Sequence, residues 1–270
     1  MRLDSGGDRE LAEFERARRE TVRYHEELYA SATLGQAGTW LAKPHRLLAD
    51  ALALVSSGEP VVAYDLGAGI GRHTLPLLRE LPAGSDVIAV DLLPSTLRAL
   101  QNAVPPDSRT RLRTRPADLD GFEFEAPADL ILAFSVIEHL RDLRAVHDLL
   151  ERVRVATKPG GVVAIGIAAD RAEVDDRGRR RPALLESAMS RAEATGLLSG
   201  VFGGFDVTYQ RSRPAQVREV RGGGTYTLTS TLITWLATRP APRRPSRAAA
   251  RAAGGRRGRR GTAPPSASGT

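Results

Sequence analysis

The chain has 270 residues, 41% hydrophobic and 26% charged, with 39 basic against 32 acidic residues and a formal net charge of +7. That length suits one sizeable core with appendages, and the absence of cysteine excludes a disulfide framework, a thiolate metal site and a cysteine nucleophile. It contains no apolar run of about 18 residues and its first twenty residues are too charged for a secretory signal, so a cytoplasmic protein with no membrane partner is expected.

Residues 9–31 read as a helix, with Leu11, Phe14, Val22, His25, Leu28 and Tyr29 at apolar or aromatic positions, until Gly35 and Gly38 break the pattern. A second helix is expected over about 41–55, with Pro44 in its first turn, where a missing N–H is tolerated. Residues 56–60 form a loop. Val61, Val62 and Ala63 then open an apolar strand that runs into YDLGAGIGR, Tyr64–Arg72, and Leu75, Leu77, Leu78 and Leu81 continue as a helix. The chain is organised around this strand, turn and helix. Gly67, Gly69 and Gly71 let the backbone turn sharply and let a ligand approach main-chain atoms. The helix start that follows offers free N–H groups to a carboxylate or phosphate. Asp65, at the carboxyl end of the strand, is placed to accept hydrogen bonds from a ligand amine or hydroxyl.

DVIAVD, Asp86–Asp91, is a second buried strand, and such continuous apolar runs suit a parallel sheet covered on both faces. Asp91 follows Asp65 by one helix and one strand, where an acid accepts hydrogen bonds from a ribose or caps the next helix. Residues 111–115 are a third strand, at an edge because of their charges, leading to Asp118 and Asp120, which face a ligand or make a turn. Residues 128–134 are a fourth strand, followed by SVIEHL, Ser135–Leu140. Residues 143–155 form an amphipathic helix that KPGG, Lys158–Gly161, stops before a fifth strand at 162–168. A charged loop over 170–181, a helix over 182–198 and two strands at 205–209 and 226–237 around Gly222–Gly224 complete the expected elements. Residues 241–270 hold eight of the arginines and no acid, which leaves 31 basic against 32 acidic residues elsewhere. That composition is a disordered one: a solubilising extension, or a nucleic-acid contact made by counterion release.

DLGAGIG resembles motif I of the class I S-adenosylmethionine (SAM) methyltransferases. The dinucleotide fingerprint G-x-G-x-x-G, counted from Gly67, needs a glycine where Arg72 stands. DLGAGIG, Asp91, Asp118 and KPGG fall in the family's order, and the resemblance covers about residues 41–239. GAGIGRHTLPL, ADLDGFEF, DLILAFSVIEHL and VATKPGG are loosely similar to the tellurite-resistance methyltransferase group, with Ala68 where Cys is common.

The resemblance implies an α/β fold: a doubly wound seven-stranded, mostly parallel sheet of Rossmann-like methyltransferase type, with an antiparallel C-terminal hairpin. It divides the chain into N-terminal helices at 1–57, acting as a lid or as ordinary packing, a SAM-binding domain at 58–239 and the tail at 240–270. It implies that Asp65 and the turn formed by Gly67, Ala68, Gly69 and Gly71 hold the methionine end of SAM. Asp91 and Leu92 would hold the ribose, Asp118 and Leu119 would sit near adenine, and Ser135 would bind the cofactor at the strand-four tip, which also borders the acceptor. No metal is expected. The implied reaction is methyl transfer to an oxygen, nitrogen, sulfur or chalcogen of a small molecule, with a base needed only if the acceptor arrives protonated. His139, His73, Glu138, His25 and Tyr24 are candidate bases, and no spacing selects among them. Two alternatives stay open: an NAD-dependent oxidoreductase, and a non-catalytic protein that binds nucleic acid through its tail.

Overall fold

The computed structural model describes residues 5–31, 33–36, 40–55, 58–181, 185–221 and 224–241. The described residues up to Pro240 belong to one compact unit. Past Ala241 the arginine-rich tail lies outside the described residues, and so do Gly222 and Gly223 of the hairpin loop.

Among the described residues eight strands form one sheet: β1 (Val62–Leu66), β2 (Asp86–Asp91), β3 (Arg111–Pro116), β4 (Ala128–Phe134), β5 (Thr157–Val174), β6 (Arg180–Arg181), β7 (Asp206–Arg221) and β8 (Gly224–Thr238). Seven follow the order β3-β2-β1-β4-β5-β8-β7, and the two-residue β6 pairs with β5 off that path. β1 lies parallel to β2 and β4, β2 to β3, and β4 to β5. β8 runs antiparallel between β5 and β7. This is the expected doubly wound sheet with its closing hairpin. Chain order reverses between β1 and β4, so a crevice opens at their carboxyl ends, where such sheets bind ligands.

Alternate residues of each strand face opposite layers. Tyr64, Leu66, Ile131, Ala133, Val163 and Ile165 pack with α5 (Leu143–Ala156) and α6 (Arg191–Val201). Ala63, Val87, Leu130, Leu132, Val162 and Ala164 pack with α2 (Leu47–Val55) and α3 (Thr74–Glu80). Both faces are dry, so the central strands read as unbroken apolar runs. α4 (Pro94–Ala103) covers Ala89 with Leu97 and Leu100. α1 (Ser5–Ser31) runs past the carboxyl ends of the strands.

Four elements differ from expectation. α2 begins at Leu47, because Trp40–Ala42 closes a separate 3-10 turn and Pro44 disfavours helix at the residue before it; His45 Nδ1 then accepts the Leu47 N–H at 3.2 Å. β5 continues to Val174, so the first part of the expected charged loop, residues 170–174, is strand. The helix sought over 182–198 starts only at Arg191, behind a capping box in which Ser190 and Glu193 satisfy each other's backbone N–H. Residues 182–184 lie outside the described residues. The closing hairpin is far longer than expected. β7 takes in Arg211–Arg218 as an exposed edge, where Pro214 costs no ladder bond if its nitrogen faces solvent.

Candidate active site at the carboxyl ends of the parallel strands

The turn after β1 is fixed by hydrogen bonds from the Gly67 and Ala68 N–H groups to Val90 O, at 2.8 and 3.0 Å. Gly67, Gly69 and Gly71 all have positive φ, at 73°, 52° and 98°. A side chain at Gly67 would strike Val136, and one at Gly69 would lie 2.8 Å from the Tyr29 hydroxyl of α1. Gly71 faces inward, where an added Cβ would sit 2.5 Å from Leu100. Asp65 lies beneath the turn, 1% exposed. Its Oδ2 accepts the Thr74 hydroxyl at 2.6 Å and its Oδ1 is buried without a hydrogen-bond partner. Burial raises its pKa to about 7, against the lowering effects of the Thr74 hydrogen bond and the nearby Arg72 charge.

Two cavities flank α1. The narrower, about 100 Å³, is walled in part by Asp91, Leu92, Asp118 and Leu119. Asp91 ties the glycine turn to the start of α4: its Oδ2 accepts Gly69 N–H at 2.8 Å, and its Oδ1 accepts Leu93 N–H at 2.9 Å. Burial raises its pKa while those two backbone bonds oppose the shift. Asp118 is paired with Arg18 of α1, and its Oδ1 accepts the Asp120 N–H at 3.0 Å. The wider cavity, about 480 Å³, is walled in part by Ala68, Tyr24, Trp40, Arg72, Glu138 and Arg171. Gly67 and Ser135 line both. Ser135 holds a φ of 55°, a left-handed conformation uncommon outside glycine, and donates its N–H to Gly166 O at 2.8 Å. Asp65, Gly69 and Gly71 belong to neither wall. They shape the turn rather than border the space.

The candidate bases separate clearly. His73 is buried and accepts the His45 N–H at 3.2 Å, and burial takes its pKa down to about 2. It is a packing residue at the start of α3. His25 donates Nδ1–H to Thr21 O at 2.9 Å, and burial, with the nearby His139, lowers its pKa to about 4. Tyr24 stands edge-on to His25, at 5.2 Å between ring centres. Glu138 turns its Oε1 to the Ala168 N–H at 3.2 Å. His139 Nδ1 lies 3.2 Å from Glu186 Oε1.

Sequence reasoning missed Arg72, Arg171 and Glu186. Arg72 follows the glycine motif directly, a signal that was available. It donates to Trp40 O at 2.7 Å and lies over the Trp40 ring, while its Nε is buried without a partner. Arg171 and Glu186 came from segments read as loop and helix, so no periodicity marked them. Among the described residues no group of three or more His, Asp or Glu is arranged to hold a metal, and no helix is long and apolar enough to cross a membrane.

Residues 64–163 match the family model described as a methyltransferase domain. Over 121 residues the chain is 34% identical to a protein of Azoarcus sp. (strain BH72) named trans-aconitate 2-methyltransferase, covering 44% of each. The chain therefore spans less than half the length of that curated relative. TehB from Haemophilus influenzae matches with a TM-score of 0.58 at 19% identity, over 75% of this chain and 64% of that one. A Burkholderia thailandensis 1,6-didemethyltoxoflavin-N1-methyltransferase, solved with 1,6-didemethyltoxoflavin and S-adenosylhomocysteine bound, matches at 0.50 and 20% identity, over 89% and 92%. At these identities the likeness to the solved structures is one of fold.

Proposed function

We propose that this chain, whose residues 64–163 match a methyltransferase domain, is a class I SAM-dependent methyltransferase and transfers the methyl group of SAM to a small-molecule acceptor. The observation that carries the reading is the pair of cavities meeting at Gly67 and Ser135, between the tips of β1 and β4. One has room for an acceptor, and the other is walled by the acids expected around a nucleoside.

The residues fit the cofactor. Arg72, with an unsatisfied Nε at the wall of the wider cavity, would hold the methionine carboxylate. The turn at Gly67 and Ala68 would bring backbone close to the methionine chain. Asp91 and Leu92 would border the ribose, and Asp118 and Leu119 the adenine. The narrower cavity, at about 100 Å³, is well below the roughly 300–1,000 Å³ of a ligand-sized pocket, so Arg18 and Tyr29 of α1 must draw back to admit a nucleoside. When bound, SAM supplies a methyl already activated by its sulfonium, with a neutral thioether as leaving group. The chain supplies alignment, and Tyr24, Tyr29 and Trp40 exclude water. Asp65 acts one step removed, by holding Thr74 and the turn.

Calorimetric titration of the full chain with SAM, S-adenosylhomocysteine and NAD tests this. Binding of both adenosyl ligands without NAD is expected. Binding of NAD alone would overturn the reading and favour an oxidoreductase.

A further inference from the structure

The junction of the two cavities carries four titratable side chains: His25, Tyr29, His139 and Glu186 line both spaces. Three are unsuited to taking a proton near neutrality. His25 is held down at about 4 by burial and by His139, and burial holds the Tyr29 hydroxyl far above its usual range. Burial alone would raise Glu186, but the charge and hydrogen bond of His139 and a hydrogen bond from Thr21 outweigh it, holding the carboxyl down at about 2. His139 remains.

Every element around His139 bears on it. From α1, Arg18 donates to His139 O at 2.8 Å and His25 stands edge-on at 5.8 Å. From β5, Arg171 lies 4.0 Å from Glu186 Oε2 and donates to Glu138 O and Ser187 O at 2.7 and 3.1 Å. That grip fixes the segment carrying Glu186, whose side chain is 1% exposed. From β2, Asp91 is near enough to feel the charge of His139. With Nδ1 committed to Glu186 Oε1 at 3.2 Å, Nε2 is the ring nitrogen left for a ligand.

We propose that Glu186 holds His139 with its Nδ1–H toward the carboxylate, so that Nε2 serves as general base, and that the acceptor is accordingly a hydroxyl, phenol or ammonium group rather than a carboxylate or thioether. This rests on the methyltransferase reading. The O–H or N–H bond of the acceptor breaks and its proton passes to His139 Nε2. The electron pair left on oxygen or nitrogen forms the bond to the methyl carbon. The S–CH₃ bond breaks with its pair kept on sulfur, and Nε2 returns its proton to water. A carboxylate is already deprotonated at neutral pH and would need no such base.

The test uses the full chain with S-adenosylhomocysteine bound and ¹⁵N-histidine spectra recorded across pH, with His139→Asn identifying the signal. His139 should carry its neutral-state proton on Nδ1, and the downfield signal of that proton, the mark of a hydrogen bond to a carboxylate, should move upfield in Glu186→Gln. A proton on Nε2, or an Nδ1–H signal unmoved by Glu186→Gln, overturns the proposal. In parallel, methyl-labelled SAM is offered pools of alcohols and phenols, of amines and of carboxylic acids. Label should enter the first two and fall by about 100-fold or more in His139→Asn. Label confined to the carboxylic acids, or full activity in His139→Asn, overturns it. Should Glu186→Gln not fold, His139→Gln keeps a partner for Glu186 and must still lose activity while binding S-adenosylhomocysteine within about threefold of wild type. Failure of the wild-type chain to bind S-adenosylhomocysteine would instead remove the methyltransferase reading.

Discussion

A methyl group at Gly71 would lie 2.5 Å from Leu100 at a φ of +98°, so Gly71→Ala combines overpacking with backbone strain. It should lower stability by about 1–3 kcal/mol, read as a drop in denaturation midpoint; an unchanged midpoint would mean the turn can relax. Asp91→Ala removes the acceptor of the Gly69 and Leu93 N–H groups and should weaken S-adenosylhomocysteine binding by about 1–3 kcal/mol, measured by calorimetry. Unchanged affinity would detach Asp91 from the site. Arg72→Gln should cost a similar amount, since a hydrogen bond between charged groups is worth about 1.5–3 kcal/mol. The glycine spacing and Asp91 were legible because each is a local answer to a backbone demand. Glu186 was not, because its meaning comes from an imidazole 47 positions away that only the folded sheet brings near.

α1 and α5 make a useful contrast between elements. α5 buries six side chains, from Ala145 to Ala156, whereas the described side chains of α1 include one buried residue, Ala17. α1 is held by particular contacts: Arg18 to Asp118, and Tyr29 against Gly69. Hydrogen exchange should therefore run faster in α1 than in α5, and S-adenosylhomocysteine should slow α1 selectively. Equal protection of the two helices in the free protein would argue against α1 drawing back. Apolar periodicity gave α5 nearly residue by residue. It failed over 182–198, where half-buried Leu185 and buried Glu186 line the cavity and Met189 packs into the core ahead of the helix. The Ser190–Glu193 capping box was in the sequence to correct that start.

Across the described residues three desolvated histidines, one buried and two half-buried, set the response to acid. His25, His45 and His73 are held below the usual imidazole range, at about 4, 4 and 2, each chiefly by burial. Between pH 4 and 6.5 the unfolded chain binds protons at all three and the folded chain does not, so stability falls as pH falls. Asp65, raised to about 7, binds a proton in the folded state over the same window and opposes them. The histidines prevail by about two protons, and the urea midpoint should be lower at pH 5.5 than at pH 7. A higher midpoint at pH 5.5 would show Asp65 dominant. The sheet's two borders have a consequence at the same scale. β3 carries Arg111, Arg113 and Arg115, and β7 carries Arg211, Arg213 and Arg218. Any second copy approaching either border to extend the ladder meets like charge and, on β7, a proline with no N–H to give. The hairpin can thus be long and open along one side without seeding aggregation.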